Sequence, residues 1–172
     1  EAGQLKWYRL QDPVAGIWAP DQGKVVGTGW GQFAKVFHGA NGVFYGVTYD
    51  GALKWYRYIN DGGSSYHWHP NSGKVISSGG WGQYHHLIAD SGAIYAVDKA
   101  GAMWWYRYTD PLNGNGSWAN GGQRKQVGSG WNFAAIGNGR LGTIYAVTYS
   151  GLLKWYEHLD PTNGAASWDP AS

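Results

Sequence analysis

Three short stretches carry the side chains best suited to chemistry. GWGQ at 29–32, GWGQ at 80–83 and GWN at 130–132 each place a tryptophan behind a glycine and follow it with a side-chain amide. The pairs are Trp30 with Gln32, Trp81 with Gln83, and Trp131 with Asn132. Recognition of a pyranose needs this kit. An aromatic ring stacks on the apolar C–H face, while an amide and the N–H groups of a glycine-rich turn meet hydroxyl or acetamido groups. The competing explanation is structural: a tryptophan after glycine plugs the gap between neighbouring elements.

Other chemistries find less support. The acidic residues that recur in register sit at turns (Asp12, Asp110, Asp160) or after a strand (Asp50, Asp98). No pair stands out as general acid and base, and no G-x-S-x-G nucleophile signature occurs, so no enzyme is expected. His67 and His69 of HWH fall on one side of an extended strand, a geometry able to ligate metal. Their positions are held elsewhere by Ile17 and Ala19, or by Ser117 and Ala119. Solvated or hydrogen-bonded histidines are therefore expected, as for His85 and His86, with no metal and no cofactor. GTGWG and SSGGWG lack the helix pattern and the lysine of a phosphate loop.

Charge and composition narrow the partners. A formal charge of +2 with scattered Lys and Arg argues against nucleic acid. No apolar run approaches the roughly 20 residues that span a bilayer, so no membrane insertion is expected. The chain has no cysteine, which excludes a disulfide framework. With 29 Gly, 12 Trp and 13 Tyr, the composition favours short strands and tight turns.

The elements that must position these residues form a repeat. Tryptophan recurs at Trp7, Trp55, Trp105 and Trp155 in the motifs LKWYRL, LKWYRY, MWWYRY and LKWYEH. A second series runs Trp18, Trp68, Trp118, Trp168, and the GW series runs Trp30, Trp81, Trp131. Together they hold all but Trp104 of the 12 tryptophans, at intervals near 50 residues. One domain is expected over 1–172, with units at about 5–52, 53–102 and 103–152 and a partial unit at 153–172.

Each unit reads as a four-stranded antiparallel meander: strand c at ALKWYRY, a polar loop INDGGSSYHW, strand d at GKVISSGGW, strand a at QYHHLIAD and strand b at AIYAVDK. No stretch holds a 3.6-residue apolar period, so essentially no helix is expected. Asp12, Asn60, Asp110 and Asp160 stand five residues after each WY tryptophan and read as turn starters. Adjacent residues on a strand face opposite ways, so Trp beside Tyr requires a sheet packed on both faces. A blade of a β-propeller meets that condition, and a β-trefoil is the alternative, with no place for a fourth LKWY segment. On this reading the WY tryptophans are scaffold.

The units GKVVGTGWGQFAKVFHGANGVFYGV, GKVISSGGWGQYHHLIADSGAIYAV and QVGSGWNFAAIGNGRLGTIYAV resemble the tachylectin-type lectin repeat, and the LKWYR strand resembles tachylectin-related repeats of secreted bacterial proteins. The resemblance implies a β-propeller that binds N-acetylated amino sugars of the GlcNAc or GalNAc type at several equivalent sites without metal, in an extracellular setting. It places those sites beside the GW turns between adjacent blades, where Tyr49, Asp50, Asp98 and Tyr149 at the ends of the b strands can contribute. The strand order c-d, a-b-c-d, a-b-c-d, a-b-c offers three inner pairs, too few to enclose a channel. A ring completed by a homo-oligomer is therefore expected, with unpaired blade edges inviting association, and a place within a longer propeller is the alternative. A protein-interaction propeller and a glycan-targeting module of a larger secreted enzyme are the alternative functions.

Overall fold

The computed structural model describes residues 3–60 and 66–172. Residues 61–65 of the expected polar loop, and the turn role of the Asn60 side chain, lie outside the described part. Every regular element described is a strand or a 3-10 turn, so the fold is all-β. Among the described residues no helix is long and apolar enough to cross a membrane, and no cluster of three or more His, Cys, Asp or Glu could hold a metal ion. The chain divides into two compact units, Glu1–Ala34 and Lys35–Ser172.

The smaller unit contains two antiparallel pairs. β1 (Leu5–Trp7) pairs with β4 (Lys24–Gly27), and β2 (Leu10–Asp12) pairs with β3 (Ile17–Trp18). Asp12 closes the β2–β3 hairpin, its carboxylate accepting the N–H groups of Val14 and Ala15 at 2.9 and 3.0 Å. A 3-10 turn at Trp30–Gln32 follows Gly29, whose φ of 76° suits a residue without a Cβ.

The larger unit repeats the expected meander. β5 (Phe33–His38), β6 (Val43–Thr48) and β7 (Leu53–Asn60) lie in order, and β7 then pairs with both β8 (Tyr66–Trp68) and β9 (Lys74–Ser77). β10 (His86–Asp90), β11 (Ala93–Val97), β12 (Met103–Arg107) and β13 (Lys125–Gly128) form the second sheet. β14 (Ala135–Asn138), β15 (Thr143–Val147) and β16 (Leu153–Glu157) form a third, of three strands. The order a-b-c-d thus holds for the second sheet. In the first, a short strand appears inside the stretch read as loop, because Tyr66 and Trp68 pack on Tyr58 and extend the ladder. Among the described residues no sheet closes on itself.

The sheets of this unit pack face on face. Val43, Tyr45, Leu53 and Trp55 of the first bury against Ile94 and Ala96 of the second and against Trp81 and Tyr108, which flank its strands. Ala93, Tyr95, Met103 and Trp105, on the other face of the second sheet, bury against Trp131, Ile144 and Ala146. Every residue of β11 is buried, which is why its sequence AIYAV lacks a polar alternation. Asn138 and Asp90 fasten the second and third sheets, donating to the Ala89 carbonyl and accepting from the Leu141 N–H, each at 2.8 Å. The aspartates read as turn starters hold that role. Asp110 and Asp160 accept the N–H of Asn113 and Asn163 at 3.2 and 3.0 Å.

One buried polar contact gives a pH dependence. His158 is fully buried: its Nδ1 lies 2.7 Å from the Tyr95 hydroxyl, and its Nε2 lies 2.6 Å from the Ala165 carbonyl. A neutral ring with Nε2–H satisfies both, accepting from Tyr95 and donating to Ala165. Burial, partly offset by the Ala165 bond, holds its pKa below the ordinary 6.5. Burial likewise lowers His86. The unfolded chain therefore takes up protons first. This stability is complete above about pH 6.5 and is lost as pH falls below that value towards the folded pKa. Urea midpoints are expected to drop between about pH 7.5 and pH 5, with a shallower drop in His158→Gln.

Candidate functional site

Each GW turn is set by its neighbours on both sides. Gly80 and Gly130 adopt φ of 87° and 73°, turning the chain from a d strand into the next sheet. The N–H of Trp81 then donates to the Gly51 carbonyl at 3.1 Å, and that of Trp131 to the Gly101 carbonyl at 2.9 Å. Both acceptors lie in the b–c turn of the preceding sheet. Trp30 makes the same bond to Gly3 at 2.9 Å within the smaller unit, with Phe33 at its edge.

On one side of the turn lies an aromatic cleft, formed twice. In the first, Trp81 packs against Tyr106 and Trp118, with ring centroids 4.8 and 5.5 Å apart. In the second, Trp131 packs against Tyr156 and Trp168 at 4.7 and 5.2 Å. The third ring straps onto the preceding sheet: Trp118 Nε1–H donates to Ile76 at 2.7 Å, and Trp168 Nε1–H to Val127 at 2.6 Å. The clefts measure about 230 and 400 Å³. Gly79, Gly80 and Gln83 rim the first, Ser129 and Gly130 the second. Their floors differ. Tyr84 in the first shares a hydrogen bond with the Tyr106 hydroxyl and accepts from Arg124 at 2.9 Å, whereas the ring of Phe133 in the second carries no hydroxyl. Burial, then the Tyr84 bond, pushes the Tyr106 hydroxyl pKa upward, so it stays protonated.

A further hollow of about 330 Å³ adjoins the Trp131 turn, with Phe133 in its wall. Asp98, Trp131, Asn132 and Tyr149 line it together with His85 and Lys99. Four of the residues singled out in the sequence thus meet in one place. Asp98 is engaged there: Oδ1 accepts the N–H groups of Ala100 and Ala102, and Oδ2 accepts Trp104 Nε1–H at 2.8 Å. The Trp104 bond is the chief reason its pKa lies below the ordinary carboxylate value. Arg124 lies over the Trp104 ring, 3.7 Å from its centroid.

The remaining candidates take simpler positions. Asp50 is bonded by the Thr48 hydroxyl, which lowers its pKa, and it stands next to the Gly51 carbonyl that receives Trp81. Tyr49 and Tyr149 are exposed. Gln32 and Gln83 each donate to the carbonyl of the glycine opening their own turn, at 2.9 and 2.8 Å. Trp81 and Trp131 are only 4% and 6% exposed, so most of each ring is spent on packing and its rim faces the cleft. Of the histidines, His69 accepts the Asn71 N–H at 3.1 Å, and His86 Nε2 lies 3.0 Å from the Phe133 carbonyl.

The sequence reading left out Tyr106, Tyr156, Trp118 and Trp168 as site residues, although they make the cleft walls. The available signal was strand parity: Tyr106 and Tyr156 point away from Trp105 and Trp155 and need something on their own face.

These features define an all-β repeat protein with an aromatic cleft rebuilt at successive GW turns. The chain belongs to the Tachylectin family, whose model matches residues 1–172. Membership indicates a lectin, a protein with a carbohydrate-binding role. No curated protein matches the chain.

Proposed function

We propose that the chain is a multivalent, non-catalytic lectin whose GW turns each bind an N-acetylated amino sugar. The observation that carries this is the repetition of one three-ring cleft at Trp81 and at Trp131, each open to glycine backbone. A pyranose ring fits between such aromatic walls, and Gln83 or turn N–H groups can meet its acetamido group. Asn132, Asp98 and Tyr149 offer polar contacts beside the Trp131 turn, with Tyr49 and Asp50 in the corresponding register beside Trp81. Trp30 and Gln32 supply the third turn by their repeat position.

Face-to-face packing of successive sheets, in the order a-b-c-d, supports the reading of each sheet as a propeller blade, with the ring completed by further copies of the chain. Such sites are individually weak. On a glycan-coated surface several engaged together gain roughly 10²–10⁴ in avidity. Extracellular glycans carrying GlcNAc or GalNAc are the partners this arrangement suits.

A glycan array with free N-acetylglucosamine as competitor tests the reading. Binding to glycans ending in acetamido sugars, abolished by the competitor, is the expected result. A folded protein that binds no immobilised glycan would contradict it.

A further inference from the structure

Two sheets of the larger unit have one face closed by the same device, and the third does not. Trp55 Nε1–H donates to the Pro111 carbonyl at 2.9 Å, and a Cβ on Gly114 would fall 2.5 Å from the ring. Trp105 Nε1–H donates to Pro161 at 3.0 Å, and Gly164 stands in the same place at 2.4 Å. Each indole is thus roofed by an Asp-Pro-x-x-Gly loop of the following sheet. Trp155 occupies the same strand position, yet it is 38% exposed, with Tyr145 at 44% and Leu153 at 69% beside it. The matching residues in the other two sheets are at most 2% exposed.

The chain carries one more loop of this kind. Residues 12–16 read Asp-Pro-Val-Ala-Gly, with the same spacing as 110–114 and 160–164. The conformation agrees as well. Gly16 has φ 69°, against 67° and 70° at Gly114 and Gly164. The Asp12 carboxylate accepts the N–H three residues on, as Asp110 and Asp160 do. Among the described residues, no heavy atom beyond its chain neighbours stands within 4 Å of a Cβ on Gly16, and Val14 and Ile17 beside it are exposed. Among the described residues, the smaller unit therefore holds a roof loop that covers no indole of that unit, and the larger unit holds an indole that no loop of that unit roofs.

We propose that the 12–16 loop of one copy seats on Trp155 of a second copy, the Pro13 carbonyl accepting the indole N–H and Gly16 lying on the ring. The two surfaces differ, so the contact is head-to-tail and propagates until it closes. This deepens the assembly reading above and rests on it, while sugar binding stands or falls separately.

Light-scattering mass measurements on three proteins test it: the native chain, Gly16→Val and Leu153→Lys. Valine at Gly16 would put a branched Cβ where the indole must lie, and lysine at Leu153 places a charge on the exposed face. The native chain is expected at a multiple of its monomer mass. Each variant alone is expected at the mass of a single chain, with unchanged far-ultraviolet circular dichroism. Mixed in equal amounts, the two variants are expected to form a dimer and nothing larger, because each keeps one intact half. A native chain that stays monomeric overturns the assembly reading and this interface together. A native oligomer that survives both substitutions, or variants that do not pair when mixed, overturns the interface alone.

Discussion

Trp55→Ala is expected to lower stability by about 4 kcal/mol, the middle of the range for truncating a buried aromatic. The ring is completely buried, receives the edge of His69 at 5.3 Å, and lies between the first sheet and the loop that follows the second sheet's c strand. Alanine would open a cavity that Gly114 cannot fill. It would also leave the Pro111 carbonyl without its indole donor, a further cost when that acceptor is cut off from water. Stabilities of single domains lie at about 5–15 kcal/mol, so the loss would be plain in a urea titration. A loss below about 1 kcal/mol would mean that the motif is not scaffold.

Gly164→Ala is expected to cost about 2–4 kcal/mol although it adds a single carbon. Two penalties combine. The φ of 70° is disfavoured for alanine by about 1–2 kcal/mol. The new Cβ would then lie 2.4 Å from the Trp105 ring, a rigid neighbour held by its bond to Pro161. Gly151→Ala separates the two. Gly151 has φ 87° and nothing within 4 Å of the added carbon, so only the backbone penalty should appear there. Equal losses at both positions, read from thermal or urea unfolding, would contradict the roof-on-indole packing.

Much of this architecture was legible in the sequence because the repeat is written in large residues. Three tryptophan series near a 50-residue spacing mark strand c, the strap after it and the turn into the next sheet, and each of these exists in the structure. Asp110 and Asp160 could be read as turn residues because their hydrogen bonds are local. The cleft walls were harder to see. Parity says that Tyr106 and Trp105 face opposite ways, but which face meets a GW turn depends on how successive sheets stack. That stacking is a long-range fact. Asp98 shows the converse limit, since its carboxylate is taken up by its own turn and by Trp104. Trp155 shows a third. Its motif, LKWYE, nearly matches LKWYR around Trp55, yet one tryptophan is exposed and the other buried, because burial is set by the next element and not by the strand itself.

The most direct test of the sugar-binding claim is a titration with N-acetylglucosamine, followed by the indole N–H signals in nitrogen–proton correlation spectra. The signals of Trp81, Trp118, Trp131 and Trp168 are expected to move together and saturate, while those of Trp55 and Trp105, sealed on the opposite faces, stay in place. Motionless cleft indoles at saturating sugar, or equal shifts at Trp55 and Trp105, would contradict the assignment of the GW clefts as the binding sites.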